Sequence, residues 1–287
     1  MSHITVNFKS KALMRAVTYH VLLPTDEASG VMAEPPFKTL YFLNGFTSSA
    51  QELIEYLPFR KQGELKHIAV VMPDGENSFY LDHAERYSNY SSYVTKELIE
   101  ETRRLLPLST KREDTFLGGL SMGGYGALIN GALHRDLFSK VACMSPVIDM
   151  FRMSRELPAI ALKDSMLDAL FGTEEQFKSS PMYPINAWSE GNPNDLPELY
   201  MCVGQQDAMV HDQIKEFYTQ VRAIGASVQL DEAPGEHDLG FWDPLMDDVF
   251  SFLAGIEPGT KNHMFCDLNN GDPTSGLHMD RVIDSAS

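Results

Sequence analysis

The residues around Ser121 have the spacing of a nucleophile at a sharp turn of the chain. Gly119-Leu120-Ser121-Met122-Gly123 has the pattern G-x-S-x-G, with an apolar run over 115–119 before it and a helix-like run over 126–134 after it. At a strand-to-helix turn of this kind the serine hydroxyl is exposed, and the flanking residues must be small because larger side chains would collide with the strand and the helix. The pattern predicts attack by Ser121 on an acyl carbon. The alternative is a glycine-rich helix start without chemistry.

A serine hydroxyl is a weak nucleophile at neutral pH and requires a base, for which His237 is the best placed histidine. His237 follows a strand-like run over 226–232 and a Pro234-Gly235 turn. The carboxyl ends of parallel strands are where a sheet of this kind places its reactive groups. His211 is the weaker candidate because it opens an amphipathic helix. The other histidines after the serine lie on its helix or near the carboxyl terminus: His134, His263 and His278.

Asp207 is the predicted partner of the base. The segment 198–204 is typical of a buried strand, and Asp207 lies in the loop beyond it. A carboxylate there would accept a hydrogen bond from one imidazole nitrogen, hold the tautomer and stabilise the imidazolium. Two alternatives remain open. Asp207 is also suited to cap the following helix, and Asp212, within that helix, competes for the same role.

Two backbone amides are predicted to stabilise the oxyanion of a tetrahedral intermediate. Met122 directly follows the nucleophile, which is the usual position of one donor. The second is expected in a loop after an early strand, and the strand-like run 39–43 leads into Asn44-Gly45-Phe46. Gly45 permits a turn there, so that the amide of Phe46 can point inward. A plain Asn-Gly turn is the alternative.

Strand-like and helix-like segments alternate along residues 1–256, which predicts one α/β domain with a mainly parallel, twisted sheet. Residues 3–23 are typical of an antiparallel strand pair. Residues 257–287 contain few apolar positions and are expected to form a flexible or partner-bound tail. The remaining predicted strands are 39–43, 67–72, 115–120, 140–144, 198–204 and 226–232.

The alternation lapses over 145–197, which we interpret as a cap insertion above Ser121. This segment contains several methionine and aromatic residues. Methionine adapts to irregular pockets, which suits an acyl or alcohol site, although the same side chains also suit packing of the cap onto the body. Trp188 is the residue for which we predict a contact with substrate.

The charge of the chain limits its partners. Among 287 residues, 23 are basic and 40 are acidic, so the formal net charge is −17. Such a charge repels nucleic acid and anionic membrane surfaces and favours neutral or cationic substrates. We therefore expect a small-molecule partner and no nucleic acid. The sequence leaves formation of a homo-oligomer open.

The compartment is expected to be the cytoplasm. The amino terminus lacks the pattern of a signal peptide, and no stretch approaches the roughly 18 apolar residues of a membrane helix. The three cysteines are an odd number and fit a reducing compartment. No spacing of histidine and cysteine resembles a zinc site, so we predict neither a metal nor a cofactor.

Five stretches of the chain resemble the esterase D family of α/β-hydrolases, and within it the tributyrin esterase branch most of all. The likeness extends over roughly 4–255 and implies an α/β-hydrolase fold, helices on both faces of the sheet, and hydrolysis of carboxylic esters with short acyl chains. Family members commonly carry His-Gly where this chain has Asn44-Gly45, which leaves open how the oxyanion loop is positioned. The stretches are Leu43-Asn-Gly-Phe, Val71-Met-Pro-Asp-Gly, 111–128, Gly204-Gln-Gln-Asp and Gly235-Glu-His-Asp.

The sequence thus predicts a serine carboxylesterase that cleaves acetyl-type esters through an acyl-enzyme. Within the enzyme class the alternatives are an S-formylglutathione hydrolase and an acetyl-sugar or feruloyl esterase, because substrate identity is not inherited with a fold. The alternative from another class is a non-catalytic binding protein with the same fold. All three triad positions are filled, which favours the enzyme.

Overall fold

The computed structural model describes residues 1–26 and 33–259, and ten strands lie in this part of the chain. They are β1 (Ser2–Ser10), β2 (Arg15–Leu23), β3 (Lys38–Leu43), β4 (Ile68–Pro73), β5 (Asp82–His83), β6 (Ser88–Asn89), β7 (Thr115–Leu120), β8 (Lys140–Met144), β9 (Glu198–Gly204) and β10 (Val228–Ala233). Within the described residues, eight strands form one sheet in the order β1-β2-β4-β3-β7-β8-β9-β10. Strands β5 and β6 form a separate ribbon.

Most of the sheet is parallel. The pairs β3–β4, β3–β7, β7–β8, β8–β9 and β9–β10 are parallel, whereas β1–β2 and β2–β4 are antiparallel. Every residue of β4 and β7 is buried, as a parallel strand between two helical layers requires. The predicted fold class is confirmed. The predicted strand 226–232 is shifted by one or two residues at its ends, since β10 runs from Val228 to Ala233.

Helices cover both faces of the sheet. The α-helices of the described residues are α1 (Ala50–Tyr56), α2 (Phe59–Lys66), α3 (Tyr90–Ser92), α4 (Leu98–Leu105), α5 (Met122–Leu133), α6 (Met150–Glu156), α7 (Asp164–Phe171), α8 (Glu174–Ser179), α9 (Pro184–Ser189), α10 (His211–Ala223) and α11 (Leu239–Ala254). The turn between α3 and α4, Tyr93–Glu97, is π-helical. One face of the sheet packs on α1, α2 and α11, and the other on the remaining long helices, so each face has its own apolar core.

Helices α6 to α9 all lie within 145–197, the predicted cap insertion. They attach to the first turn of α5 and to the loop after β4. The Tyr125 hydroxyl donates to the Met182 carbonyl at 2.7 Å, and Phe171 packs edge-on against Phe79 with 5.2 Å between ring centroids. These helices therefore stand beside the turn that carries Ser121. Of the predicted tail, 257–287, the part from residue 260 onward lies outside the described residues.

Two further features are absent from the described part of the chain. None of its helices combines the length and the apolar character needed to cross a membrane. Likewise, residues 1–26 and 33–259 contain no group of three or more histidine, cysteine, aspartate or glutamate side chains arranged to hold a metal ion.

Candidate active site

The turn between β7 and α5 holds Ser121 in a strained backbone conformation. Its φ is 53° and its ψ is −116°, a region that residues with a Cβ rarely adopt. A Cβ on Gly123 would lie 2.0 Å from the carbonyl oxygen of Leu43, and one on Gly119 would lie 2.4 Å from the Gly123 carbonyl carbon. The glycines of the G-x-S-x-G pattern are therefore required by close contact of the turn with the neighbouring strand and with its own helix.

The loops after β9 and β10 are joined by two hydrogen bonds, one between backbone groups and one from a backbone amide to a side chain. The amide of Gln206 donates to the carbonyl of Gly235 at 2.9 Å, and the amide of Gly235 donates to Oε1 of Gln206 at 2.7 Å. A Cβ on Gly204 would lie 2.3 Å from the Gly235 carbonyl oxygen, so the two loops touch without a side chain between them. This contact brings the loop of Asp207 beside the loop of His237.

Ser121, His237 and Asp207 are hydrogen-bonded in series. Nε2 of His237 lies 2.9 Å from Oγ of Ser121, and Nδ1 lies 2.7 Å from Oδ2 of Asp207. The Asp207 side chain is 0% exposed and that of His237 is 13% exposed. A buried carboxylate on Nδ1 fixes the tautomer that leaves Nε2 free to accept the serine proton. The structure thus brings together the three side chains that the sequence singles out.

Asp207 also holds the turn before α10, although the N-cap of that helix is Val210 and has no side-chain cap. Its Oδ1 accepts hydrogen bonds from the amides of Met209 at 3.0 Å and Val210 at 3.3 Å, immediately before α10. Its Oδ2 is the oxygen that meets His237. The backbone contacts of one oxygen therefore orient the other toward the imidazole.

The predicted oxyanion donors, Phe46 and Met122, have unpaired amides. Within the described residues, neither amide donates a hydrogen bond to a backbone or side-chain acceptor. The loop that carries Phe46 lies against the serine, because a Cβ on Gly45 would be 3.6 Å from the Cβ of Ser121. Two amides without a protein acceptor, one in a loop next to Ser121 and one on the residue after it, are consistent with the predicted role as oxyanion donors.

His211 has partners of its own and does not reach the serine. Its Nδ1 is 3.0 Å from Asp212, and its Nε2 is 3.0 Å from Glu232 on β10. Burial lowers the pKa of His211, but hydrogen bonds from its imidazole to the two carboxylates outweigh burial and leave the pKa above its usual value. This pair links the start of α10 to β10. Asp212, the competitor of Asp207, is occupied by the same histidine.

The expectation for Trp188 is corrected by its surroundings. The side chain is 1% exposed, its Nε1 donates to the Leu128 carbonyl at 3.1 Å, and its ring packs edge-on against Phe217 of α10. With its N–H satisfied and its ring enclosed between helices, Trp188 packs α9 against α5 and α10 and presents no surface to a substrate. Its position in an apolar stretch is equally typical of core packing, which is why the sequence did not decide between the two.

Trp242 is a site residue that sequence reasoning missed. Its ring meets the ring of His237 edge-on, with 5.1 Å between centroids and an interplanar angle of 82°. Its Nε1 donates to Oγ of Ser145 at 3.1 Å. Ser145 follows β8, whose last carbonyl, that of Met144, accepts a hydrogen bond from the Ser121 amide at 2.9 Å. The end of β8 therefore supports both the serine turn and the ring beside the base.

This strand order, the strained serine turn and the hydrogen-bonded series define an α/β-hydrolase of the serine hydrolase class. Residues 10–253 match the protein family Esterase, described as putative esterase. The chain belongs to this family, and fold and family together make it a carboxylic ester hydrolase.

Relatives with known names agree with this assignment. The chain is 29% identical over 266 residues to an acetyl esterase of Caldicellulosiruptor saccharolyticus, in an alignment that covers 89% of this chain and 99% of the relative. Among solved structures, substrate-bound fluorophosphonate-binding serine hydrolase F of Staphylococcus aureus is similar with a TM-score of 0.76 and 26% identity, covering 88% of this chain and 98% of that chain. The S-formylglutathione hydrolase FrmB of Staphylococcus aureus is similar with the same four values, 0.76, 26%, 88% and 98%.

Proposed function

We propose that this chain is a serine carboxylesterase whose catalytic triad is Ser121, His237 and Asp207. The observation that carries the proposal is the unbroken pair of hydrogen bonds, 2.9 Å and 2.7 Å long, that joins the three side chains. In the first step Oγ of Ser121 bonds to the ester carbonyl carbon while Nε2 of His237 takes the hydroxyl proton. The carbonyl π electrons move to oxygen, and the Phe46 and Met122 amides bind that oxyanion.

The tetrahedral intermediate then collapses to an acyl-enzyme. The bond from carbon to the alcohol oxygen breaks, and His237 delivers its proton to the departing alcohol. A water molecule next gives its proton to His237 and attacks the acyl carbon, and the second intermediate releases the carboxylic acid and restores the Ser121 hydroxyl. Asp207 stabilises the imidazolium in both halves of the reaction without taking its proton.

We infer a short acyl group, as in the tributyrin esterase branch of the family. Support comes from the aromatic side chains next to the oxyanion loop. The half-buried ring of Phe46 lies 5.9 Å from that of Phe79, which packs at 5.2 Å against Phe171. Phe79 and Phe171 are 3% and 1% exposed, so the side chains behind Phe46 are closely packed, which favours a short acyl group. We also infer a cytoplasmic location, because Cys143 and Cys202 are buried free thiols.

Hydrolysis of the thioester S-formylglutathione is the second candidate. The specific observation in its favour is the similarity, at 26% identity, to the S-formylglutathione hydrolase FrmB. The net charge of −17 counts against an anionic tripeptide thioester. The same triad chemistry would cleave either substrate, so the two candidates differ in recognition alone.

A comparison of kcat/KM values tests the proposal. The substrates are p-nitrophenyl esters of increasing acyl length, an acetylated sugar, methyl ferulate and S-formylglutathione, and the Ser121→Ala variant is the control. We expect the highest value for an acetyl or butyryl ester and loss of turnover of every substrate in the variant. A preference of ten-fold or more for S-formylglutathione would favour the second candidate. Ligand-induced stabilisation without any product would identify a binding protein instead.

A further inference from the structure

The side chain of Asn44 holds the loop that carries the oxyanion donor Phe46. Asn44 is 1% exposed, and its Nδ2 donates to two carbonyl oxygens of this loop, that of Gly45 at 3.0 Å and that of Ser48 at 2.6 Å. These two carbonyls stand on either side of Phe46 in the chain. The amide group therefore ties both ends of the short turn to one point.

The other end of the same carboxamide is bound to a distant segment. Oδ1 of Asn44 accepts hydrogen bonds from the backbone amide of Gly75 at 2.8 Å and from the hydroxyl of Tyr80 at 2.9 Å. The Tyr80 hydroxyl also approaches the backbone carbonyl of Asn44 at 3.2 Å. The two donor hydrogens and both acceptor positions of Asn44 are thus in use, which leaves the side chain a single orientation.

Tyr80 is itself enclosed. A Cβ on Gly75 would lie 2.1 Å from its hydroxyl, and a Cβ on Gly126 would lie 2.5 Å from its ring. Burial raises the pKa of Tyr80 well above its usual value, so the phenol remains a neutral donor. Gly126 is on α5, the helix that begins with the second donor, Met122. Tyr80 therefore connects the loop of one oxyanion donor with the helix of the other.

We propose that Asn44 and Tyr80 are positioning residues that hold the Phe46 amide at the distance from Ser121 that an oxyanion requires. Neither residue touches the reacting atoms, and the inference rests on the proposed esterase function. An oxyanion donor acts over 2.7–3.1 Å, so a small displacement of the loop removes much of its effect. Transition-state stabilisation is lost in that case while ground-state binding of the ester is retained, and kcat falls more than KM changes.

The four hydrogen bonds explain why asparagine suits this position. A neutral histidine supplies one donor and one acceptor, and an ionised aspartate supplies acceptors alone, whereas a carboxamide supplies two donors and two acceptor positions. The His-Gly that the esterase D family commonly carries therefore would not reproduce these contacts beside Tyr80. We expect Asn44→His to lower activity in this chain.

Three variants test the inference: Asn44→Asp, Tyr80→Phe and, as a matched control, Tyr41→Phe. Tyr41 is a fully buried phenol on β3 whose hydroxyl bonds to Thr102 at 2.8 Å, so its variant also loses one buried hydrogen bond. The buried charge of Asn44→Asp can prevent folding. Tyr80→Phe keeps the ring and adds no charge, so it still tests the inference in that case. The readouts are kcat and KM for p-nitrophenyl acetate and the inhibition constant of an alkyl trifluoromethyl ketone, which adds to a serine as a tetrahedral oxyanion.

We expect Asn44→Asp to lower kcat about 10²-fold, Tyr80→Phe several-fold, and Tyr41→Phe less than twofold, all with KM within about threefold of the wild type. The ketone should bind more weakly in proportion to the loss of kcat. The inference is overturned if Tyr80→Phe keeps kcat and ketone binding within twofold of the wild type, or if Tyr41→Phe loses as much. Absence of ester turnover by the wild-type chain would refute the proposed function instead, a result that is visible before any variant is compared.

Discussion

Ser121 and His237 lie 116 residues apart in the chain, yet their reactive atoms are 2.9 Å apart. The third side chain, Asp207, makes this pair reactive. Asp207 is fully buried. Its Oδ1 accepts hydrogen bonds from backbone amides, and its Oδ2 accepts one from the imidazole. A carboxylate held in this way fixes one tautomer of the base and stabilises its charged form.

Asp207→Asn should therefore abolish most activity without disturbing the fold. The new Oδ1 can still accept hydrogen bonds from the Met209 and Val210 amides, while the new NH₂ group faces Nδ1 of His237 and favours the tautomer that cannot act as a base. We expect kcat to fall by roughly 10⁴-fold, with a melting temperature close to that of the wild type. Steady-state kinetics and calorimetry measure the two quantities. A loss of less than tenfold would contradict the role given to Asp207.

Trp242→Phe tests the ring that stands beside the base. The variant keeps an aromatic edge near His237 but leaves the buried Ser145 hydroxyl without its partner, at a cost of about 1–3 kcal/mol in the free energy of unfolding. We expect kcat to fall several-fold with KM nearly unchanged. Trp188→Phe is the matched control, since its Nε1 also donates to a buried acceptor, the Leu128 carbonyl. Equal losses of kcat in both variants would show that Trp242 acts through stability alone.

At the scale of elements, the catalytic loops depend on how strand ends and helix starts are joined. The loops after β9 and β10 touch through Gly204 and Gly235, and His211 and Glu232 link the start of α10 to β10 close to the same place. Burial and the neighbouring carboxylates together leave the folded-state pKa of His211 above its ordinary value of about 6.5. The pair therefore stabilises the fold most when the histidine is charged.

A group whose pKa is higher in the folded state than in the unfolded state stabilises the fold fully below its unfolded-state pKa. This stabilisation is lost as the pH rises through its folded-state pKa. His211→Gln should thus destabilise the protein by a few tenths to about 1 kcal/mol at pH 5.5 and by much less at pH 8.5. Urea unfolding of wild type and variant at both pH values measures the difference in their free energies of unfolding. Contributions of the other titrating groups cancel in this difference. A larger effect at pH 8.5 would contradict the ion pair.

The elements themselves were largely predictable. A short apolar run such as 115–120 predicts a buried strand in a chain that alternates strands with helices. The G-x-S-x-G turn is recognised from adjacent residues alone, so Ser121 and Met122 could be located directly. Trp188 and Trp242 show what the sequence alone could not predict. Both lie at apolar helical positions, and packing between segments distant in sequence decides which one meets the base. The bonds from Asn44 to Gly75 and Tyr80 are hidden for the same reason.

For the molecule as a whole, the acidic charge is the property most relevant to function. A net charge of −17 lowers the local concentration of anionic substrates at low ionic strength, and salt screens the effect as the Debye length falls from about 30 Å at 0.01 M to about 8 Å at 0.15 M. As the salt concentration is raised over this range, we expect kcat/KM for S-formylglutathione to rise severalfold. The value for p-nitrophenyl acetate should change by less than about 1.5-fold. The two substrates are measured in parallel buffers. The same salt response for both would exclude steering by charge.

The position of a covalent label tests the assignment of Ser121 as the nucleophile most directly. A fluorophosphonate reacts with an activated serine hydroxyl and forms a stable tetrahedral adduct, and mass spectrometry of the digested protein identifies the modified residue. We expect one adduct per chain, on Ser121, accompanied by complete loss of ester hydrolysis, and no adduct in the Ser121→Ala variant. Labelling of another residue, or hydrolysis that persists in the fully labelled protein, would contradict the assignment of Ser121 as the nucleophile.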